Sequence, residues 1–518
     1  MAAAAYAIAA FAAPFGLLPR LAPPSFLARC FAAWLFTALI LFFLDDQLSV
    51  LALAGFAILL LAPTAPVLRI AFFLVTAPCL PAYLQVYLPF PGINWLVMLT
   101  YYKVLVFFVL LPLLFQGMSR RESSGTFSAA DACVVAYVGL SVVMVTASMG
   151  ITAGPRFLID QLLVLAVPYF VLSRLIRNPG DLDLCFRAIL LASLILAAIA
   201  IMATLKQWDF YRFKEPPSVF LIPDVRSGLM RIAGTANTHS LGYHLAIGIL
   251  VLEYLKKRLA LGFLRLWLFR AMLLAGLLST DSRGALLALL VAFLTYGIIS
   301  IRSAGARRTM LASLVVVVVG TGLWLITTDD ASSVDAYNSV GYRQLLLQVS
   351  VDHILSNPLF GDLHFMSDPK FSLLRQGQGI IDITNFYLQI ALSFGLVGLA
   401  LLIGIFAPTL FRLVGFVGAL AANEEHAETR RMATIIISAL VGWFVLVATT
   451  SDIALTFHLG LTLVALGRAI TRFPHLQPKM TEKPVASAHG QLFRHRPGRA
   501  GNLCLKGKEL PVAPHACG

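Results

Sequence analysis

The chain has 518 residues, of which 59% are hydrophobic and 12% are charged, and its mean hydropathy is +0.86. Soluble domains carry about 25% charged residues, so this composition excludes a soluble globular protein. A formal net charge of +14 would indicate nucleic-acid binding in a soluble protein, but here the Lys and Arg residues are spread over short loops and a C-terminal tail. We therefore expect no nucleic-acid partner, and we interpret most of these charges as signals of membrane orientation.

Apolar runs long enough to cross a hydrocarbon core of about 30 Å recur along most of the chain. A backbone exposed to lipid must satisfy its own hydrogen bonds, and a helix does this within a single segment. We therefore predict an all-α, polytopic transmembrane helical bundle of about 12–14 spans, with a large outer loop that carries an amphipathic helix. The predicted spans are 28–44, 48–62, 68–88, 93–115, 129–148, 157–173, 184–205, 237–255, 259–278, 284–301, 308–326, 385–408, 433–450 and 453–470.

Basic residues fall on alternate loops, as the positive-inside rule requires. Arg120, Arg174, Lys256 and Arg430 share one side with the basic tail, and we assign this side and both termini to the cytoplasm. The predicted segments are the N-terminal transmembrane helices 1–206, an outer loop 207–236, transmembrane helices 237–326, a large outer loop 327–384, the C-terminal transmembrane helices 385–470 and a basic, disordered tail 471–518.

The cysteines lie either in apolar spans, at Cys30, Cys79, Cys133 and Cys185, or in the tail. None has the paired spacing of metal ligands. We therefore predict neither a disulfide framework nor a metal site, and we expect no cofactor.

The first outer loop carries Arg212, Lys214, Arg226 and Arg231 close to the start of a span. Exported loops normally contain few basic residues, so this cluster opposes the topological trend. The side chains either anchor the loop to lipid headgroups or converge on a phosphate or diphosphate, which planar guanidinium groups bind through two parallel hydrogen bonds.

Asp281 and Arg283 lie where a predicted span meets the outer face. Such a pair can simply end a helix, but ionisable residues at a membrane boundary are also functional candidates. In the large loop, apolar residues at helical spacing between Gly341 and Asn357 predict an amphipathic helix that lies against the membrane. Arg343, near the start of this helix, would face either the outer ends of the spans or the lipid headgroups.

Further polar candidates surround the end of the large loop. Asp382 and Asn385 lie at the outer end of the next span, where Asp382 caps a helix or accepts a proton. His239, His353 and His364 are also expected on the outer face, although a histidine in a loop is more often solvated than catalytic.

Short motifs follow one another between residues 207 and 410. They are Arg231-x-x-Gly234-x-x-Asn237, Ser282-Arg283-Gly284, Gly341-Tyr342-Arg343, the Pro-Leu-Phe-Gly stretch 358–361, and Thr-Asn-Phe-Tyr-Leu at 384–388 followed by Gly395 and Gly398. This series resembles the O-antigen ligase and polymerase family, in which such motifs surround one large periplasmic loop.

The resemblance implies a metal-independent glycosyltransferase on the periplasmic face of a bacterial inner membrane, acting on an undecaprenyl-diphosphate-linked glycan. Arg231, Arg283 and Arg343 match the basic positions of the family and would bind the diphosphate, with Arg226 and Arg212 as further candidates. The expected partners are this lipid-linked glycan, membrane lipids and a chain-length regulator.

One position departs from the family pattern. Its ligases carry a histidine followed, after ten residues, by a glycine at the start of this span, and here that spacing gives Thr384 and Gly395. A threonine cannot act as a base at neutral pH. The best prediction is therefore a polymerase of an O-antigen or exopolysaccharide, with Asp382 as the nearest base and His353 and Asn385 as further catalytic candidates.

Two alternatives remain open at this stage. One is a ligase that transfers the glycan to lipid A core. The other is a transporter or flippase of lipid-linked sugars, which would also use cationic residues in the membrane, although transporters place such sites near the bilayer midplane.

Overall fold

The computed structural model of this protein describes residues 21–80, 84–91, 93–119, 127–207, 225–226, 229–230, 232, 237–301, 305, 309, 339–375, 381–420, 426–451 and 456–473. Arg212, Lys214, Arg231, the predicted span 308–326 except residue 309, and the tail beyond Phe473 lie outside these residues. Only the backbone of Arg226 is described.

The described part of the chain is predominantly α-helical, which confirms the predicted fold class. The helices are α1 (Pro24–Phe43), α2 (Gln47–Leu61), α3 (Pro66–Cys79), α4 (Tyr101–Leu105), α5 (Leu111–Ser119), α6 (Ala129–Met149), α7 (Ala153–Gln161), α8 (Val167–Leu175), α9 (Pro179–Lys206), α10 (Thr238–Arg258), α11 (Phe263–Ser279), α12 (Arg283–Ser300), α13 (Ser339–Ser356), α14 (Phe386–Ala419), α15 (Ala427–Val447) and α16 (Thr456–Ile470). Single π-helical turns, Val106–Leu110 and Leu162–Ala166, join α4 to α5 and α7 to α8.

Seven of the described helices are long and apolar enough to cross a membrane. They are α1, α6, the continuous helix from α7 to α8, α9, α12, α14 and α15. Four shorter apolar helices accompany them, at α2, α3, α4–α5 and α16. These helices make the chain a multi-pass membrane protein.

Helix α9 lies at the centre of the bundle, where it packs against α3, α10 and α11. Most of its side chains are buried, because a helix that is apolar on all sides has no polar face to turn to water. Around it, α12 packs on α15, α6 packs on α14, and α16 packs on α8.

A β-hairpin replaces parts of two predicted spans. Instead of spanning 68–88, helix α3 ends at Cys79, and strands β1 (Gln85–Phe90) and β2 (Ile93–Thr100) then pair in antiparallel fashion. The prediction of an uninterrupted span was wrong here because hydropathy does not distinguish an apolar strand from an apolar helix. Prolines at 81, 89 and 91 oppose a helix, and the β-branched and aromatic residues between them favour strands.

A second short hairpin lies in the first outer loop. Strand β3 (Val225–Arg226) pairs with β4 (Leu229–Met230).

Helix α14 is longer than the predicted span 385–408. Its 34 residues would extend about 51 Å at 1.5 Å per residue, well beyond a hydrocarbon core of about 30 Å. The helix is broken at Gly395, whose φ of 65° and ψ of −169° are not helical. The part that follows the break, 396–419, is long enough by itself to cross the membrane.

The turn 358–362 of the large loop packs against this break and exchanges backbone hydrogen bonds with it. The carbonyl of Leu392, which would accept from Leu396 in a regular helix, accepts instead from the amide of Asp362 at 2.7 Å. The amide of Leu396 donates to the carbonyl of Pro358 at 2.8 Å. The amide of Val397 likewise donates to the carbonyl of Leu359 at 3.2 Å, so the loop supplies partners for backbone groups that lose helical bonds at the break.

The close approach of the two backbones requires glycine on both sides. A Cβ on Gly361 would lie 2.4 Å from the carbonyl oxygen of Leu392, and one on Gly395 would lie 2.2 Å from that of Leu359. Both glycines also have positive φ, at 67° and 65°.

We expect Gly395→Ala to lower the free energy of unfolding by at least about 3 kcal/mol, because it adds backbone overlap to a conformation that only glycine adopts readily. The measurement is thermal unfolding of the purified protein in detergent. Gly418→Ala, in the same helix but with open space around its Cβ position, is the matched control and should be neutral or slightly stabilising. Equal unfolding temperatures for the two variants would contradict the proposed role of the break.

Candidate functional site

The large loop has a small hydrophobic core of its own. Helix α13 contributes Leu346 and Val349, which pack with Phe365, Phe371 and Leu374 from two 3-10 turns. The helix forms where the sequence predicted it, and Leu346 and Val349 are buried in the loop's own core. The sequence could not show this, because the partners follow the helix in an irregular segment without periodicity.

The start of α13 is fixed to the end of the loop by one tyrosine. The hydroxyl of Tyr342 donates to the backbone carbonyl of Asp382 at 2.7 Å and accepts from the backbone amide of the same residue at 3.2 Å. The neighbouring residue Arg343 is exposed, and its charge acts on the Asp382 carboxylate. An arginine and a carboxylate predicted separately from the sequence are therefore brought together.

Asp382 has a second partner from the far end of the chain. Its carboxylate lies close to the hydroxyl of Ser451, in the turn that follows α15. Burial raises the pKa of the Asp382 carboxyl, while the polar contact with Ser451 and the positive charge of Arg343 oppose this rise. The result is a shielded carboxyl that gains a proton more readily than an ordinary aspartate.

The turn between α11 and α12 borders the same region. Asp281 has a positive φ of 45°, and Ser282 then caps α12 by accepting from the amide of Ala285 at 3.3 Å. Arg283, at the first position of α12, is exposed. Gly284 packs against Thr449, which lies two residues before Ser451. This contact connects the turn that carries Arg283 to the turn that binds Asp382.

Helix α10 begins beside these turns. Nδ1 of His239 lies 2.8 Å from Oγ of Ser282, and Oγ of Ser240 lies 2.7 Å from Oγ1 of Thr456, at the start of α16. The amide of Ile232 donates to the carbonyl of Ser279 at 3.2 Å. The candidate site is therefore built from the first residues of α10, α12, α13, α14 and α16 and the end of α15.

Other predicted residues have different surroundings. His353 is buried, with Nδ1 3.1 Å from Oδ2 of Asp368 and its ring against Phe371. It is ten positions from Arg343, or about 15 Å along the helix axis. Nε2 of His364 lies 2.8 Å from Oγ of Ser148, at the end of α6. Neither histidine is brought to Asp382 by these contacts.

Two more residues singled out from the sequence, Thr384 and Asn385, lie at the start of α14. The side chain of Asn385 caps the helix by accepting from the amide of Leu388 at 3.2 Å. Oγ1 of Thr384 is buried and has no hydrogen-bond partner among the described residues.

Sequence reasoning missed Ser451 as a partner of Asp382. A polar run, Thr449-Thr450-Ser451-Asp452, separates two apolar spans and was the available signal. It indicated a turn between two spans but not which of its hydroxyls would lie beside a carboxylate. Within the part of the chain that the structure describes, no group of three or more His, Cys, Asp or Glu side chains is placed to hold a metal ion.

Comparison with known protein families matches residues 268–403 to the family described as O-antigen ligase. No curated protein matches the chain. The matched segment runs from α11 into α14 and contains Arg283, Arg343, Asp382 and the glycine break. It is narrower than the range 207–410 over which the motifs show the resemblance, so Arg231 lies outside it. Residues 268–403 are therefore similar to the O-antigen ligase family, which supports the resemblance that the motifs show.

Proposed function

We propose that the protein is a metal-independent glycosyltransferase that polymerises undecaprenyl-diphosphate-linked oligosaccharide repeat units on the periplasmic face of the inner membrane. The single observation that carries this proposal is the pairing of Arg343 with the half-buried carboxyl of Asp382, which Ser451 also contacts. A cation for a leaving diphosphate and a base for an attacking hydroxyl then lie side by side.

The proposed reaction uses these groups as follows. A sugar hydroxyl of the acceptor attacks the anomeric carbon of the donor, and the bond from that carbon to the diphosphate oxygen breaks. Asp382 takes the proton of the hydroxyl, and the lipid diphosphate leaves with both electrons of the broken bond. Arg343 and Arg283 stabilise the charge that develops on the diphosphate. Arg231, Arg226 and Arg212 remain candidates for the same role.

The choice of polymerase over ligase depends on Thr384. Threonine stands where the resemblance places a ligase histidine, and its buried hydroxyl cannot replace an imidazole as a base. The second candidate is a ligase that transfers the glycan to lipid A core, and the description of the matching family favours it.

A transporter or flippase is a weaker alternative. Transporters bind their substrates near the bilayer midplane, between broken helices. Helix α14 is broken here, but the turn 358–362 fills the break with backbone contacts, and the charged groups lie at the helix ends. The further partners proposed are membrane lipids and a chain-length regulator.

Purified protein supplied with a lipid-diphosphate-linked oligosaccharide is expected to make longer lipid-linked chains, which gel electrophoresis and mass spectrometry resolve. Arg343→Ala and Arg283→Ala should each reduce this activity about 100-fold, because each removes stabilisation of the leaving group. Arg375→Ala, which removes an exposed arginine of the same loop, is the matched control and should retain full activity. Transfer only to added lipid A core would establish the ligase, and accelerated flipping without bond formation would establish the transporter.

The pH dependence of kcat/KM tests the role of Asp382 separately. A base must be ionised, so the rate should rise with pH through a pKa above the ordinary value of about 4 for aspartic acid. Arg343 favours the ionised carboxylate, so Arg343→Ala should move this rise to higher pH, and Arg343→Lys should leave it nearly in place. Asp382→Asn should abolish this rise of kcat/KM with pH. A rise at the same pH in wild type and Arg343→Ala would exclude Asp382 as the base.

A further inference from the structure

A second polar cluster lies at the opposite end of the same helices. Its centre is Asp131, a fully buried carboxylate in the first turn of α6. Oδ1 of Asp131 accepts from the hydroxyl of Tyr169 at 2.9 Å, and Oδ2 accepts from Nη2 of Arg472 at 3.0 Å. Helix α16 runs from Thr456 at the candidate site to Ile470 beside this cluster, which separates the two regions by about 21 Å.

Three more arginines surround this ion pair. Arg468 is almost completely buried, and its charge repels those of Arg472 and Arg412. Arg174 also lies close enough to repel Arg472, and its guanidinium stacks 4.7 Å above the ring of Phe170. Nη1 of Arg472 donates to the carbonyl of Ser173 at 3.4 Å, next to Arg174. Arg468 and Arg472 therefore lie close to the Asp131 carboxylate, and Arg174 and Arg412 lie close to these two arginines.

Among the described residues, the charges of this cluster are mainly positive. Among the described residues, Asp131 is the acidic side chain that acts on Arg468 and Arg472, with the hydroxyl of Tyr169 beside it. Like charges that are partly removed from water repel strongly, and an anion that binds between them relieves this cost.

The position of Arg412 indicates where such an anion would come from. Arg412 is exposed on α14 between Phe411 and Val414, whose side chains are also largely exposed. Large apolar side chains on the outside of a membrane helix contact acyl chains. An arginine between them lays its aliphatic stem along this apolar surface and extends its guanidinium to the level of the lipid headgroups. Basic pockets between helices at the cytoplasmic end of a bundle bind anionic lipid headgroups in this way.

We propose that Arg174, Arg412 and Arg468 bind the phosphate of an anionic phospholipid headgroup in the leaflet on this side of the membrane. Arg472 is held by Asp131 and orients the cluster. The planar guanidinium groups supply paired hydrogen bonds to the phosphate oxygens, and the exposed apolar face of α14 contacts the acyl chains. This site is independent of the proposed glycosyl transfer at the other end of the bundle.

The test is native mass spectrometry of the full chain in detergent, titrated with phosphatidylglycerol, with cardiolipin or with phosphatidylcholine. We expect the two anionic lipids to remain bound and phosphatidylcholine to be lost. Arg412→Gln and Arg174→Gln should each weaken the binding of the anionic lipids about tenfold, because each removes one charge-assisted contact. Arg412→Lys should weaken it less, because the charge is retained without the planar geometry.

Arg265→Gln is the matched control, since it removes an exposed arginine near the start of α11, outside the cluster. It should bind the anionic lipids as the wild type does. Equal weakening in all three glutamine variants would show a general charge effect and overturn the site. A lipid peak that millimolar inorganic phosphate displaces completely would show a site for free phosphate instead of a lipid headgroup. Loss of this lipid without loss of glycosyl transfer would leave the proposed function unaffected.

Discussion

The structure depends on an exchange of backbone hydrogen bonds between the turn 358–362 and the break in α14 at Gly395. In a membrane bundle, each unsatisfied backbone group costs several kcal/mol, so a helix breaks only where other groups replace its lost partners. Here the loop supplies those partners, with the amide of Asp362 bound to Leu392 and the carbonyl of Pro358 bound to Leu396. These backbone hydrogen bonds attach the large loop to the bundle without any particular side chain. They require only that Gly361 and Gly395, where the two backbones approach most closely, remain glycines.

The position of the candidate site follows from this attachment. Helix α13 ends shortly before the turn, and the start of α13 reaches back to Asp382 through Tyr342. Arg343 and Asp382 are therefore held between two fixed points of the loop, while Ser451 approaches from the C-terminal helices. The buried aromatic core around Phe371 and His353 stiffens the segment between these points. Such rigidity suits the proposed glycosyl transfer, in which two large substrates must be oriented.

The sequence predicted the elements whose signals are local. Apolar runs indicated the helices, and helical spacing after Gly341 indicated α13. Arg283, Arg343 and Asp382 were recognised as polar groups at the ends of apolar spans. The sequence did not show which segments pack against each other. The β1–β2 hairpin has the hydropathy of a membrane span, so its strand pairing was missed. The apolar face of α13 is covered by a segment without periodicity, so its packing partner was missed as well. Ser451 could not be chosen over its neighbours, because a hydroxyl acquires a role only from the carboxylate placed opposite it.

The most direct test of the central claim is a cryo-electron microscopy structure of the full chain in a lipid nanodisc with a lipid-diphosphate-linked oligosaccharide. We expect diphosphate density within hydrogen-bonding distance of the guanidinium groups of Arg283 and Arg343, with the first sugar facing Asp382. Diphosphate density at the midplane of the bundle, or at the arginine cluster around Asp131, would contradict it.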